Sequence, residues 1–433
     1  MEKPREIAVQ VLRRYAEQAD YLENILDAEL RHTFLLPPDR ALVQELTFGV
    51  IRWQAALDWL IGQKTAERPQ KTVLQILLRL GLYQLFWLER IPDHAAVHET
   101  VEIAKKLGFS RQAGFINAVL RSYLRAKAAT EAKLQELKIK QPSLGYSHPD
   151  WLIDRWKARW GHEVLIRLLE WNNTPPPLFA RHNTLKTTQK ELTASWEKEG
   201  VQFLPRKWDW VAEGLVYELT SRPFVSSLTS FKKGYFYIQD PGTLLAGQAL
   251  DPRPGDEVLD LCAAPGGKTT FIAQRMQNLG RILAQDISQE RLELVQENCT
   301  RLGVNCVQTS LLSTVSSDKA PPHFIKVLVD APCSNTGVMR RRVDLRWRIR
   351  LEEIHRLRIT QSALLARAAL QVKTGGIVVY STCSLEPEEN SQVVREFLNA
   401  HPSFRLAEER TLLPFVEGVD GAYVAKIIRQ DST

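Results

Sequence analysis

The 433-residue sequence predicts an α/β domain with a mainly parallel sheet, preceded by an all-α domain and a small α+β lobe. Apolar residues recur at helical spacing through the first 140 residues, and short strand-like runs follow a proline-rich break near 175. From residue 257 onward, strands and helices alternate, as they do in βαβ units. We therefore expect three domains, over residues 1–140, 141–240 and 241–433.

The first domain is predicted to be a helical bundle. Ile7, Val11 and Tyr15 fall on one face of a helix, and later segments repeat this spacing. The segment 126–141 is rich in Lys, Glu and Ala and precedes Pro142, so we interpret it as a helical linker into the next domain.

The second domain opens with two tryptophan-bearing helical stretches, over 151–160 and 164–171. They end at the run Asn-Asn-Thr-Pro-Pro-Pro over 172–177, which no helix tolerates. The following residues mix short strand-like runs with one helix near 189–199. This mixture predicts the small α+β lobe.

The third domain is predicted from its alternating pattern. Its strands are expected at 257–261, 281–285, 305–310, 324–329 and 376–380, and its helices at 268–276, 288–302 and 352–373. In such sheets, ligands bind beyond the carboxyl ends of the strands. The loops after Leu261, Asp286, Asp330 and Tyr380 are therefore the candidate site.

Composition excludes several classes of protein. Hydrophobic residues make up 44% and charged residues 25%, which excludes a mainly disordered chain, a collagen-like repeat and a disulfide scaffold. The 57 Lys and Arg against 50 Asp and Glu give a net charge of +7, which weakly favours an acidic partner such as nucleic acid. Five cysteines, an odd number, suggest a reducing cytoplasm. We expect no signal peptide and no membrane span, because no apolar run is long enough.

A glycine-rich turn, DLCAAPGGKTT from Asp260, joins the first predicted strand to its helix. Three interpretations stay open. A phosphate-binding loop is disfavoured because Cys262 stands where its first glycine must be. A nucleoside-binding turn fits better, since Asp286 ends the next strand, where a carboxylate can accept ribose hydroxyls. A tight glycine turn in an unrelated α/β fold is the third.

Two cysteines, Cys333 and Cys383, follow two predicted strands and so lie at the same edge of the sheet. Free cysteines are often buried apolar residues, and a zinc site would need further ligands, such as a CxxC pair or histidines, that do not accompany them. Thiols beside a nucleoside pocket also suit chemistry on a pyrimidine. A thiolate that adds to carbon 6 makes carbon 5 nucleophilic enough to attack an electrophilic methyl group.

The segments LDLCAAPGGKTT, LVDAPCSNTGVMRR and VVYSTCSLEPEEN together resemble the RNA cytosine-C5 methyltransferases that use S-adenosyl-L-methionine. The resemblance covers essentially the whole chain. Its helical first domain is similar to NusB, which points to the RsmB (Sun/Fmu) branch that methylates small-subunit ribosomal RNA. The resemblance implies a Rossmann-like methyltransferase domain, a ribosomal RNA substrate, no metal and a monomeric enzyme.

The resemblance also implies roles for individual residues. Cys383 would be the nucleophile, Cys333 would assist release of the methylated product, and Asp330 would contact both the cytosine and the surroundings of the cofactor. The residues implied to bind the cofactor are Cys262, Ala263, Ala264, Pro265, Gly266, Gly267, Lys268, Asp286, Ser310 and Asp330. Ser310 stands where the family usually carries an aspartate for the adenine, so the adenine contact here is expected to differ.

Basic residues near the Cys333 loop are interpreted as RNA contacts, although a charge run is often only a solvated helix face. The predicted RNA-binding residues are Arg340, Arg341, Arg342, Arg346, Trp347, Arg181 and Asn183. Three other functions stay open: a non-catalytic NusB-like antitermination factor, the same chemistry on transfer RNA or 23S ribosomal RNA, and an amino-methyltransferase. The last is disfavoured because Asp330-Ala-Pro-Cys333 does not match the loop of that class.

Overall fold

The computed structural model describes residues 3–31, 33–221, 223–312 and 323–430. They form two compact units. Unit 1 comprises Met1–Pro175 together with Met339–Arg348, and unit 2 comprises Pro176–Val338 together with Ile349–Thr433. Unit 1 thus includes a ten-residue segment of the C-terminal half, and the three domains expected from the sequence stay a prediction.

Unit 1 is all-helical, as predicted. Its N-terminal helices are α1 (Pro4–Glu17), α2 (Leu22–Arg31), α3 (Pro37–Arg52), α4 (Gln54–Thr65), α5 (Thr72–Trp87), α6 (Asp93–Lys106), α7 (Ser110–Arg125), α8 (Lys127–Lys140), α9 (Pro142–Gly145) and α10 (Asp150–Asn173). The apolar faces of the helices meet in one core that includes Ile7, Val11 and Leu77. The predicted linker is helix α8, and its Leu134 packs into this same core, so it is part of the bundle.

Unit 2 begins with a four-stranded antiparallel sheet in the order β2-β3-β1-β4. Its elements are β1 (Phe179–His182), α11 (Gln189–Lys198), β2 (Phe203–Trp208), β3 (Val211–Leu219), α12 (Thr229–Lys232) and β4 (Phe236–Ile238). Helix α11 starts where predicted, because Thr188 and Glu191 form a capping box. Its Trp196 is fully buried against Tyr217 and Phe236. The predicted α+β lobe is confirmed.

The rest of unit 2 surrounds a seven-stranded sheet in the order β10-β11-β9-β8-β5-β6-β7. The further elements of the chain are α13 (Leu244–Leu250), β5 (Glu257–Leu261), α14 (Gly267–Arg275), β6 (Arg281–Asp286), α15 (Gln289–Leu302), β7 (Val307–Leu311), β8 (Phe324–Asp330), α16 (Leu345–Arg348, in unit 1), α17 (Leu351–Gln371), β9 (Val372–Thr382), α18 (Ser391–Ala400), β10 (Phe404–Leu412), α19 (Pro414–Glu417) and β11 (Ala422–Arg429). Strands β5 to β9 are parallel, which confirms the predicted Rossmann-like core.

Strands β10 and β11 pair antiparallel at one edge of this sheet and were not predicted. The sequence of β10, FRLAEERTL, carries a run of exposed charged residues, so it lacks the apolar alternation that predicts a half-buried strand. In the described part of the chain, no helix combines the length and the apolar character that crossing a bilayer requires.

Parallel pairing brings the loops of the candidate site together. Leu261 lies opposite Val329 in the pairing of β5 with β8, and Asp330 lies opposite Ser381 in the pairing of β8 with β9. The carboxyl ends of these three neighbouring strands therefore share one edge of the sheet, and the chain segments that follow them begin side by side.

The segment Met339–Arg348 is built into unit 1. Val343 is part of the helical core, and the Asp344 carboxylate accepts a hydrogen bond from the Leu22 amide at 3.0 Å. Arg346 is fully buried, and its guanidinium donates to the carbonyls of Ser147 at 3.2 Å and Asn172 at 3.0 Å. This arginine therefore serves as an internal hydrogen-bonding hub of the helical unit.

We expect the substitution Arg346→Leu to lower the free energy of unfolding by about 3–5 kcal/mol, because it strands buried acceptors that the guanidinium now satisfies. The matched change Arg342→Leu, at an exposed position of the same segment, should stay within about 0.5 kcal/mol. Chemical denaturation of the full chain measures both. A stable Arg346→Leu protein that only loses RNA affinity would contradict the structural role.

Candidate active site

Two thiols face each other at the edge of the seven-stranded sheet. The Sγ atoms of Cys333 and Cys383 are 3.3 Å apart, although the residues are separated by 50 positions in the sequence. Cys333 is buried and Cys383 is half-buried. The two cysteines that the sequence singled out therefore form one cluster.

Backbone conformation and hydrogen bonds hold the Cys333 loop against the Cys383 loop. Asn335 adopts a left-handed backbone with φ of 58°, which asparagine tolerates better than most residues. Its Oδ1 accepts from Cys383 Sγ at 2.8 Å, and its Nδ2 donates to the Cys333 carbonyl at 2.7 Å. The Gly337 amide donates to the Cys383 carbonyl at 2.9 Å, and a Cβ at Gly337 would lie only 2.8 Å from that oxygen.

The contact between the thiols affects their protonation. The hydrogen bond with Cys383, followed by burial and by the charge that a thiolate at Cys383 would carry, raises the pKa of Cys333 well above its ordinary value. Cys333 therefore stays protonated at neutral pH.

An ion pair lies at the start of the Cys333 loop. Lys268 Nζ donates to Asp330 Oδ2 at 2.6 Å, and Ser381 Oγ donates to Asp330 Oδ1 at 2.8 Å. Burial by itself would lower the pKa of Lys268, but the adjacent Asp330 carboxylate outweighs burial and raises it. The Lys268 ammonium and the Asp330 carboxylate are thus held in position by each other. In the sequence, Asp330 is three residues before Cys333.

The glycine-rich turn has the shape of a ligand cradle. Gly266 has φ of 99° and Cys262 has φ of 64°, both in the left-handed region, and helix α14 begins directly afterwards at Gly267. The Ala264 amide donates to Asp286 Oδ2 at 3.2 Å, which fixes that carboxylate at the end of β6. Helix N-termini and strand-end carboxylates of this kind suit a nucleoside with an anionic group.

Two further residues at this turn were missed by sequence reasoning. Arg291 binds Asp286 Oδ1 at 3.2 Å and the Ala264 carbonyl at 3.0 Å, so it joins the turn to the β6 carboxylate. Asp260 is fully buried, and burial raises its pKa to about 7. Its Oδ1 finds no hydrogen-bond partner within the described ranges. The contacts of Arg291 could not be predicted from its position five residues after Asp286, because they depend on how the turn and β6 fold together.

The remaining predicted cofactor residues lie near this turn or at the same sheet edge. Ala263 and Ala264 are buried, and Pro265 is exposed. Burial raises the pKa of Cys262 to about 12, so this thiol is protonated at neutral pH. Ser310 is half-buried in β7, and its hydroxyl donates to the Leu311 carbonyl at 3.3 Å. Among the described residues, no group of three or more His, Cys, Asp and Glu side chains is arranged to hold a metal ion.

The predicted RNA-binding residues differ in their exposure to solvent. Arg340 and Arg346 are buried inside unit 1, where Arg340 packs its guanidinium 4.1 Å from the Trp171 ring centroid. The prediction of RNA contact is therefore wrong for these two, because a buried guanidinium has no surface for a phosphate. Trp347 is half-buried and donates from Nε1 to the Ile51 carbonyl at 3.0 Å. Arg342 is exposed and Arg341 half-exposed, and their RNA contact stays a prediction.

The same correction applies to Arg181 and Asn183. Arg181 is buried and donates to Gln239 Oε1 at 2.5 Å and to the Gly267 carbonyl at 2.8 Å. Asn183 is buried and donates to the carbonyls of Gly234 and Leu302, both at 2.8 Å. These side chains attach the small sheet to the larger α/β core within unit 2 and are not available to RNA.

Comparison with known families identifies the class. The chain matches the model of the NusB family over residues 2–125, that of the RsmF/B-like ferredoxin-like methyltransferase domain over 148–218, and that of the 16S rRNA methyltransferase RsmB/F over 247–428. Together with the parallel sheet and its glycine-rich turn, these matches define a methyltransferase of the RsmB/F class, and the predicted resemblance is confirmed.

Relatives narrow this class. The chain is 33% identical to the probable ribosomal RNA small subunit methyltransferase B of Bacillus subtilis, and 36% identical to ribosomal RNA small subunit methyltransferase B of Yersinia enterocolitica, each over 98% of both chains. A crystal structure of a methyltransferase homologue from Pyrococcus horikoshii matches with a TM-score of 0.58 and 34% identity, over 66% of this chain and 97% of the other. The chain belongs to the ribosomal RNA small subunit methyltransferase B family.

We expect the substitution Cys383→Ala to lower the pKa of Cys333, because it removes the hydrogen bond and the charge that raise that pKa. Alkylation of Cys333 by iodoacetamide, followed by mass spectrometry, should therefore reach half of its maximal rate at a lower pH in the variant. Cys383→Ser, which keeps a hydrogen-bonding group without the thiolate charge, should fall between the two. An unchanged midpoint in Cys383→Ala would show that the thiols do not interact.

Proposed function

We propose that this chain methylates carbon 5 of a specific cytosine in small-subunit ribosomal RNA, using S-adenosyl-L-methionine. The observation that carries the proposal is the approach of two thiols to 3.3 Å beside the ion pair of Lys268 and Asp330. The names of the relatives support the small ribosomal subunit as the source of the RNA. The substrate alternatives, transfer RNA and 23S ribosomal RNA, become arms of the test. We propose that the enzyme acts in the cytoplasm as a monomer.

The residues present fit the cofactor. The turn from Cys262 to Lys268, with its left-handed Gly266, would hold the methionine part, Asp286 would hold the ribose, and Ser310 would face the adenine. The carboxylate of Asp286, held by a backbone amide at the end of β6, is a suitable acceptor for ribose hydroxyls. When bound, the cofactor supplies an electrophilic methyl group.

Cys383 then acts on the RNA base. Its thiolate forms a covalent bond to carbon 6 of the cytosine, which must be out of its stack to reach the site. The electron density displaced by this addition makes carbon 5 nucleophilic. Asp330, held by Lys268 and Ser381, would accept hydrogen bonds from the cytosine edge and orient the ring.

Cys333 completes the cycle. After carbon 5 has gained the methyl group, its proton must leave so that the bond between carbon 6 and Cys383 breaks and the thiolate is regenerated. Once Cys383 is bonded to carbon, neither its charge nor its thiol hydrogen bond raises the pKa of Cys333 any longer. Cys333 thus becomes a stronger acid in the adduct and can lose its own proton to solvent. Its thiolate then accepts the carbon 5 proton, the electron pair of that bond forms the double bond between carbons 5 and 6, and the bond from carbon 6 to Cys383 breaks.

An RNA that contains 5-fluorocytosine should trap a covalent complex, because fluorine at carbon 5 cannot leave as a proton. The complex should be absent in Cys383→Ala and present in Cys333→Ala. With ordinary RNA, Cys333→Ala should accumulate the adduct, since release stalls. Denaturing gel electrophoresis measures each. Trapping that persists in Cys383→Ala and disappears only in Cys333→Ala would reverse the two roles.

The substrate is tested by bisulfite sequencing of RNA from a strain lacking the gene. One cytosine of 16S ribosomal RNA should lose its methyl group, and complementation with the wild-type gene, but not with Cys383→Ala, should restore it. Loss confined to transfer RNA or 23S ribosomal RNA would keep the chemistry and overturn the substrate. No change in any RNA would favour a non-catalytic role.

A further inference from the structure

A buried carboxylate is hydrogen-bonded to the residues next to the two thiols. Glu389 is fully buried in the short 3-10 turn Pro387–Glu389 that follows β9. Burial raises its pKa above the ordinary value. Burying a carboxylate costs free energy unless hydrogen bonds replace its lost hydration. The hydrogen-bond partners of Glu389 therefore indicate what the buried carboxylate does in the structure.

Glu389 accepts four hydrogen bonds. Its Oε1 accepts from the Ser334 amide at 2.8 Å and from Gln361 Nε2 at 3.0 Å. Its Oε2 accepts from the hydroxyls of Ser334 and Ser384. None of these donors is a cation, so the carboxylate is held by neutral groups from three separate parts of the chain.

These partners are the immediate neighbours of the reactive residues. Ser334 directly follows Cys333, Ser384 directly follows Cys383, and the two serine hydroxyls are 3.0 Å apart. Gln361 also donates to the carbonyl of Pro332, the residue before Cys333, at 2.9 Å. One side chain therefore ties together the backbone on which both thiols are mounted.

We propose that Glu389 is a positioning residue, which holds the Cys333 and Cys383 loops so that the two thiols stay in contact. The functional meaning of that contact rests on the proposed function, whereas the contact itself does not. Loops that carry reactive groups need such support, because small displacements of a nucleophile reduce the rate strongly.

The pattern of donors predicts which substitution preserves the role. In Glu389→Gln the amide oxygen can replace Oε1 and still accept from the two N–H groups, while the amide nitrogen donates to the two serine hydroxyls. Glu389→Met has similar length and no hydrogen bonds. Ser384→Ala removes the hydroxyl that joins the Cys383 loop to Oε2.

The contact can be measured without RNA. Dibromobimane alkylates two nearby thiols, each sulfur displacing one bromide, and mass spectrometry identifies the peptide pair that contains Cys333 and Cys383. In the full chain, we expect the cross-linking rate to fall at least tenfold in Glu389→Met and Ser384→Ala, and to stay within twofold of wild type in Glu389→Gln. Glu352→Gln and Ser226→Ala, at exposed positions, are the matched controls and should behave as wild type.

Methyl transfer provides the second readout. We expect kcat to fall in parallel with cross-linking, while KM for the RNA stays within twofold, because Glu389 is not expected to contact the RNA. Wild-type cross-linking in Ser384→Ala, or equal losses in Glu389→Gln and Glu389→Met, would overturn the positioning role. Circular dichroism checks folding, and if Glu389→Met does not fold, Ser384→Ala decides.

The two proposals fail separately. If the wild-type protein transfers no methyl group to any RNA, the proposed function fails, and the cross-linking series still decides the role of Glu389. If wild-type transfer is normal and cross-linking is insensitive to Ser384→Ala, the positioning role fails and the proposed function stands.

Discussion

The register of two neighbouring parallel strands determines this site. Because Asp330 in β8 lies opposite Ser381 in β9, the chain leaves both strands at the same level of the sheet, and each enters a loop with a cysteine two or three residues further on. A shift of the register by one residue would turn every side chain of β9 to the other face of the sheet. The thiol contact, the hydrogen bond from Ser381 to Asp330 and the serine pair all depend on this alignment.

The site combines an ion pair with a thiol, Cys333, that stays protonated at neutral pH. Lys268 and Asp330 form an ion pair, whereas the contact of Cys333 with Cys383 raises the pKa of Cys333 and so disfavours a second thiolate. A reaction that consumes one thiolate and then needs another acid or base can use this arrangement in sequence. The hydrogen bonds that Glu389 accepts from neutral groups keep the loops in place, and no charged partner of Glu389 occurs in the described part of the chain.

Sequence reasoning predicted the parts of the fold that depend on local pattern. The parallel strands coincide with apolar runs such as Val327–Val329, and the cysteines follow such runs at strand ends, so both were predictable. The arginines were not, because Arg346 in a buried hub and Arg342 on the surface give the same signal in a charge run. Glu389 was missed for a related reason, since only the fold reveals that residues 334, 361 and 384 meet around it.

Because residues 339–348 are part of the helical unit, the order of synthesis determines when that unit can complete its core. A ribosome synthesises residues 1–175 before it reaches Val343 and Arg346. These two side chains therefore cannot take their places in the helical unit until later in synthesis. Conversely, a fragment starting at residue 176 would contain the apolar and cationic segment 339–348 without the helices against which it packs. The two units are therefore interdependent parts of one polypeptide and cannot be separated by a single cut.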